Sequence, residues 1–362
     1  MRAVAVTEIE LRQTLDDYVD PLIGQGLDAC GAIADIQLAD GQVRITLELG
    51  FPAAGHAESL RTAVQTLIRE AHGLEAQVEV RWQIQAQAVQ GQLQPLPEIR
   101  NIIAVASGKG GVGKSTVAAN LALALHAEGA KVGLLDADIY GPSQPRMMGV
   151  SKAKPETPDG KLMHPVMAHG LQVSSIGFLV DEESPTIWRG PMVTQALTQL
   201  INGTAWKDLD YLIIDLPPGT GDVQLSLAQR IPVSGAVIVT TPQDIALLDA
   251  RKGLRMFQRV EVPVLGVVEN MSFHVCSSCG HHDPVFGSGG GERLADEHEI
   301  ELLGQLPLDI RIREQADGGA PTVVAEPDSD NAQRYREIAR KAAARLAYSQ
   351  ADDFPEIVIS DD

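Results

Sequence analysis

A chain of 362 residues has room for two or three domains at the usual ~100–200 residues each, and 44% hydrophobic against 21% charged residues excludes a disordered polymer. With 29 Lys+Arg and 48 Asp+Glu the net charge is −19, which opposes binding to phosphate backbones and anionic lipid and so argues against nucleic-acid or membrane partners. Three cysteines make no disulfide framework and fit a reducing, cytoplasmic setting; no apolar run reaches membrane-spanning length, and Glu8 and Glu10 fall where a signal peptide needs apolar residues.

The first ~85 residues read as a small α+β unit. Residues 7–19 have helical spacing, with Ile9, Leu11, Leu15 and Val19 expected on roughly one side. Residues 32–39 and 42–49 are β-rich, and Asp40-Gly41 between them is a hairpin signal. Glu58–Ala71 is amphipathic and 76–84 alternates like a strand. The Gln-rich stretch 86–98, with Pro95 and Pro97, has linker composition, and Cys30 reads as a small buried apolar residue.

From residue 99 to 349 the pattern changes. Unalternated apolar runs recur at Ile102–Ala106, Val132–Leu135, Leu171–Ile176, Tyr211–Ile214, Ala236–Val239 and Val264–Val268, with helical stretches between several of them. Strands buried on both faces read this way, so the expected fold is α/β, a doubly wound, mostly parallel sheet covered by helices. Residues 329–348 form a closing helix capped by Ser329 or Asp330. Residues 350–362 are an acidic tail, expected to be solvated and flexible.

The run Ile102–Ala106 leads straight into Ser107-Gly108-Lys109-Gly110-Gly111-Val112-Gly113-Lys114-Ser115-Thr116 and then a helical segment. Strand, G-x-x-x-x-G-K-[ST] loop and helix together make a phosphate-binding P-loop, in which glycines let successive N–H groups close on phosphate. Lys114 is expected to reach the β/γ-phosphates of ATP and Ser115 to ligate Mg²⁺. Lys109 is an additional loop lysine that an ordinary P-loop does not require, suited to the nucleotide of a second subunit. Asp136-Ala-Asp138 and Asp215 stand at strand ends beside this crevice. Asp215 is placed to hold Mg²⁺, Asp138 to orient or deprotonate water, and Asp136 to share the metal shell.

Cys276-Ser-Ser-Cys279 follows Asn270 in a Gly- and His-rich stretch. Pro284 and the glycines argue against the helix that a redox dithiol needs. A zinc site would recruit two of His274, His281 and His282. A twofold homodimer would instead assemble four thiolates, enough for an iron–sulfur cluster. Chemistry alone ranks zinc and cluster equally.

Together these residues resemble the deviant Walker A P-loop ATPases, which include MinD, ParA and nitrogenase iron protein. Within that group the chain is similar to the Mrp/ApbC (Nbp35-like) cluster-carrier ATPases, through DADIYGPSQPRMMG (136–149), DLPPGTGD (215–222), TTPQDIALLDARKG (240–253), VVENMSFHVCSSCG (267–280) and FGSGGGERLA (286–295). Residues 1–85 resemble a MIP18-type domain. The resemblance implies an ATP-hydrolysing homodimer that passes a [4Fe–4S] cluster from donors to apo-proteins. Lys109 would act across the dimer, Lys114, Ser115 and Thr116 would hold phosphate and Mg²⁺, and Asn270 and the loop after Pro307 would hold adenine. Cys276 and Cys279 would bridge the cluster with their dimer mates. A MinD- or ParA-like spatial organiser, or an ATPase with a structural zinc, is the competing expectation.

Overall fold

The computed structural model describes residues 6–39, 42–90, 93–158, 160–179, 190–276 and 278–348. Asp40-Gly41 and the acidic tail lie outside the described residues. The chain divides into two units, one running through Ile84 and taking in the chain from Ala343 onward, the other Gln85–Ala342.

In the first unit α1 (Glu8–Asp16), β1 (Ile33–Ala39), β2 (Gln42–Leu49), α2 (Ala57–His72) and β3 (Ala76–Trp82) form a three-stranded sheet of order β1-β2-β3 with two helices. β1 and β2 are antiparallel, and α2 carries the chain back so that β3 runs parallel to β2. Thr7 and Glu10 close a capping box on α1. Leu11 and Leu15 enter the core, but Ile9 and Val19 are exposed, against expectation. Ile9 is two positions from Leu11, a spacing that cannot share a helix face, and α1 ends before Val19. Asp20 is buried, accepts from Leu22 and Ile23 N–H, and pairs with His56 Nε2 at 2.8 Å. Cys30 is half-buried, its thiol donating to Leu27 O.

The second unit contains β4 (Ile99–Ala106), α3 (Lys114–Ala127), β5 (Val132–Asp136), α4 (Gln144–Met147), β6 (Val166–Ala168), β7 (Leu171–Ser175), α5 (Gly190–Gly203), β8 (Leu209–Asp215), α6 (Asp222–Ala228) and β9 (Gly235–Thr240). It continues with α7 (Asp244–Arg259), β10 (Val264–Glu269), β11 (His274–Val275), β12 (His282–Asp283), α8 (Gly290–Glu297), β13 (Leu302–Gln305), α9 (Ile310–Asp317), α10 (Thr322–Ala325) and α11 (Asp330–Tyr348), whose last residues are counted with the first unit. Eight strands form one sheet of order β13-β10-β9-β4-β8-β5-β7-β6, parallel except for the edge strand β6. The expected doubly wound α/β architecture is present. Its central strands are buried because helices cover both faces; β4, β5, β8 and β9 are almost wholly inaccessible.

Residues 85–90, at the start of the stretch of linker composition, are fastened to this unit. Asn101 donates to Gln85 O and accepts from Gln87 N–H, while buried Gln90 donates to the carbonyls of Ala228 and Ile231. Glutamine composition alone does not distinguish a solvated tether from a strap whose amides satisfy helix-end carbonyls. Glu128, fully buried, receives Arg336 and Arg340, each at 2.7 Å, tying α3 to α11.

Candidate functional site

The sheet brings the expected phosphate residues together at the carboxyl ends of its central strands. β4 stops at Ala106, the loop turns through Gly111 and Gly113 at φ +82, and α3 starts at Lys114. Gly113 admits no side chain. A Cβ there would stand 2.2 Å from Asn270 Nδ2, in a left-handed backbone that already disfavours one. A Cβ on Gly108 would meet the Asp249 backbone at 2.2 Å, so the loop lies directly on α7. Ser107 closes the turn onto Lys109 O and accepts Gly219 N–H through its own carbonyl, joining the P-loop to the DLPPGTGD segment.

Asp136 and Asp215 are register partners on adjacent strands, which puts two carboxylates side by side in a buried place. Lys114, 5% exposed, is ion-paired to Asp215 and stands 3.8 Å from Asp138. Its ammonium also lies 3.3 Å from Ser115 Oγ. Burial first, and Asp215 second, push the Asp136 carboxyl up to about 7. Burial also raises Asp138, against the pull of Lys114. A carboxyl lifted toward neutrality beside a phosphate crevice suits proton transfer with water. Asp136 is already hydrogen-bonded within the protein. Its oxygens accept from Asp138 N–H, Gln144 N–H and Ser175 Oγ, so it pins the following loop. Ser115 Oγ and Asp215 are the hard oxygen donors that fit Mg²⁺.

Two residues to which the sequence reading gave no role are buried near the loop ends. Gln144, fully buried, donates to Asp215 Oδ2 at 2.9 Å and Ser115 O at 3.0 Å. Glu269, fully buried at the end of β10, accepts from Ser272 Oγ, Gln305 Nε2 and Gly291 N–H. The glycines of FGSGGG thus start a helix whose N–H groups meet a buried carboxylate. Both lie inside quoted motifs, but their roles depend largely on partners distant along the chain.

Asn270, next after Glu269, donates to Val112 O at 2.8 Å and so contacts the P-loop backbone. Six residues on, Cys276 leaves the short hairpin β11–β12. Cys276 N–H bonds His281 O and Gly280 N–H bonds Cys276 O, and Cys279 is exposed at the turn. N–H groups of Ser278 and Cys279, then the Cys279 thiol, aim at Cys276 sulfur and hold its thiol below the usual range, favouring thiolate. The hairpin is braced on the segment after Pro307: Leu308 N–H bonds Phe273 O at 2.7 Å and His274 Nδ1 meets Leu308 O at 3.1 Å. His282 stacks on Phe273 at 4.8 Å, with Arg334 on the same ring. A cleft of about 590 Å³ lies between hairpin and loop, lined by Phe273, Cys276, Pro307, Asp309 and Arg334. Among the described residues no three His, Cys, Asp or Glu side chains converge as a metal set.

Residues 98–343 match the family described as NUBPL iron-transfer P-loop NTPase. The chain belongs to this family. Residues 8–81 match a second family, iron-sulfur cluster assembly protein. Among relatives of the NUBPL family chain, the iron-sulfur cluster carrier protein of Haemophilus influenzae is 49% identical over 354 residues, covering 97% of this chain and 95% of its own. The iron-sulfur cluster transfer protein NUBPL of Mus musculus is 50% identical over 277 residues, covering 76% and 86%. A nucleotide-binding protein from Archaeoglobus fulgidus, solved with ADP, is 39% identical with a TM-score of 0.56, covering 64% of this chain and 90% of that one. The cell division ATPase MinD of Pyrococcus furiosus is 25% identical with a TM-score of 0.50, covering 67% and 97%. Among the described residues no helix is long and apolar enough to cross a membrane.

Proposed function

We propose that the chain is a cytoplasmic ATP-hydrolysing iron–sulfur carrier, which holds a [4Fe–4S] cluster between Cys276 and Cys279 of two copies and passes it to apo-proteins. The observation that carries this reading is the hairpin itself: two accessible thiols, one biased toward thiolate, on a turn six residues from a P-loop contact. Half a coordination sphere per chain is what a twofold axis completes. The names of the relatives support the cargo.

ATP binding draws Lys114 from Asp215 to the β/γ-phosphates, while the P-loop N–H groups and Thr116 hold the remaining oxygens. Ser115 and Asp215 hold Mg²⁺, which when bound neutralises charge on the phosphates. Asp138 orients the attacking water and takes its proton. Lys109 reaches the nucleotide of the second copy, and exposed Ile245 and Leu248 on α7, the helix under Gly108, supply apolar area for that contact. Asn270 and the segment after Pro307 hold the adenine, so nucleotide acts on the same stretch of chain that carries the thiols. The first unit recruits cluster donors or recipients.

Anaerobic reconstitution of the wild type, Cys276→Ala and Cys279→Ala tests this. The wild type is expected to be brown, with iron and sulfide in one cluster per pair of chains and a dimeric mass. Each variant loses the cluster and keeps ADP binding. A strictly monomeric iron-bearing species, or one zinc per colourless chain, overturns the proposal.

A further inference from the structure

Gln144 bridges three elements of the hydrolysis centre. Its backbone N–H is fixed to Asp136 Oδ2 at the end of β5, at 3.0 Å. Its side chain then crosses to Asp215 at the end of β8 and to the Ser115 carbonyl at the start of α3. Both targets are acceptors, so chemistry fixes the amide: only Nε2 can face them. Both its donors are thereby used, and Oε1 is buried with no hydrogen-bond partner. Ser143 Oγ, one residue earlier, is likewise buried and unpartnered. Folded proteins rarely leave such atoms unpaired, so an O–H donor belongs at this place in the working state. Lys114 has to leave Asp215 to reach phosphate, and Gln144 is then the side chain still holding that carboxylate.

We propose that Gln144 is a positioning residue of the metal–phosphate site. It holds the Asp215 carboxylate and the Ser115 backbone in register after Lys114 departs, and its Oε1 accepts from a water on the bound divalent cation. This rests on the nucleotide-hydrolysing part of the reading above and is independent of the cluster. The arrangement separates two roles: phosphate grip comes from the P-loop N–H groups, whereas cation affinity depends on how well Asp215 and Ser115 are held. Gln144 therefore governs the second and leaves the first intact.

Gln144→Met keeps the volume and removes every hydrogen bond; Gln144→Glu keeps the shape and replaces the amide donor by a carboxyl. Binding of a fluorescent ADP in EDTA is expected to match wild type for folded Gln144→Met, whose melting temperature falls modestly with the two lost buried hydrogen bonds. The Mg²⁺ concentration that half-saturates the strengthening of ADP binding rises about 10-fold, and kcat for ATP falls about 10-fold with KM unchanged, the size expected for losing a hydrogen bond to a carboxylate. Gln144→Glu, which lacks the pair of amide donors, is expected to lower kcat in the same direction. Unaltered Mg²⁺ dependence and kcat in folded Gln144→Met overturn the proposal. So does loss of ADP binding in EDTA, or failure of both variants to fold, because the residue is then a prop for the P-loop. Should the wild type hydrolyse no ATP, the ATPase reading fails, and the Mg²⁺ dependence of ADP binding still decides the role of Gln144.

Discussion

Lys114 is the cation that faces Asp138 and Asp215, and Lys114→Met removes it at little change in volume. Lys114 is 5% exposed and Asp215 is 0% exposed, so the lost pair is a buried one, whose breakage costs about 3–5 kcal/mol. That cost has a ceiling, because the acidic set can bind a proton. From an ordinary carboxyl value of 3.8, protonation at neutral pH costs about 4 kcal/mol, and about 1.4 kcal/mol less for each pH unit of acidification. The sign follows from linkage. A carboxyl raised in the folded state keeps a proton that the unfolded chain has released, so its stability contribution falls as pH rises between the two values. The wild type already has this behaviour through Asp136, pushed up to about 7. The variant adds more of it. Urea unfolding followed by the fluorescence of buried Trp206 should therefore give a stability gap near 1 kcal/mol at about pH 5 that widens to about 4 kcal/mol at about pH 7. A gap that stays flat across that range, or never exceeds about 1 kcal/mol, refutes the idea that Lys114 compensates buried negative charge.

Glu128→Gln strands Arg336 and Arg340 on a buried neutral partner, and unfolding should register a loss of about 3 kcal/mol. In the first unit burial raises the Asp20 carboxyl, but the hydrogen bond and charge of His56 outweigh it and leave it lowered. Its contribution is thus present above the ordinary carboxylate range and lost as pH falls through the lowered value. Asp20→Asn should remove that acid-sensitive step from a pH titration of circular dichroism. Gly113→Ala should abolish ADP binding in calorimetry. Adding Asn270→Ala should restore part of the lost melting temperature, since it removes the side chain that the new Cβ strikes while leaving the positive φ.

Much of this architecture is legible in the sequence because its physical causes are local. Strands covered on both faces need no alternation, and so Ile102–Ala106 and Tyr211–Ile214 read as β4 and β8 to within a few residues. The P-loop is legible because phosphate imposes glycines at fixed spacing, and the C-x-x-C because sulfur is scarce elsewhere. Illegible features depend on distant partners. β6 is a three-residue antiparallel edge without a distinct pattern. Gln144 reads as a polar residue between two prolines until Asp215 and Ser115 arrive beside it. The Gln-rich strap reads as tether because only the fold supplies the carbonyls of Ala228 and Ile231.

The stretch from Asn270 to His274 is pinned nearly residue by residue, at Val112 O, Glu269, Leu306 O and the Leu308 backbone. Its length is accordingly a ruler. Inserting or deleting a single residue there would break several of these bonds at once and swing both sulfurs off their bearing. Engineering that seeks to retune the thiol pair without disturbing the nucleotide loop should leave the ruler uncut.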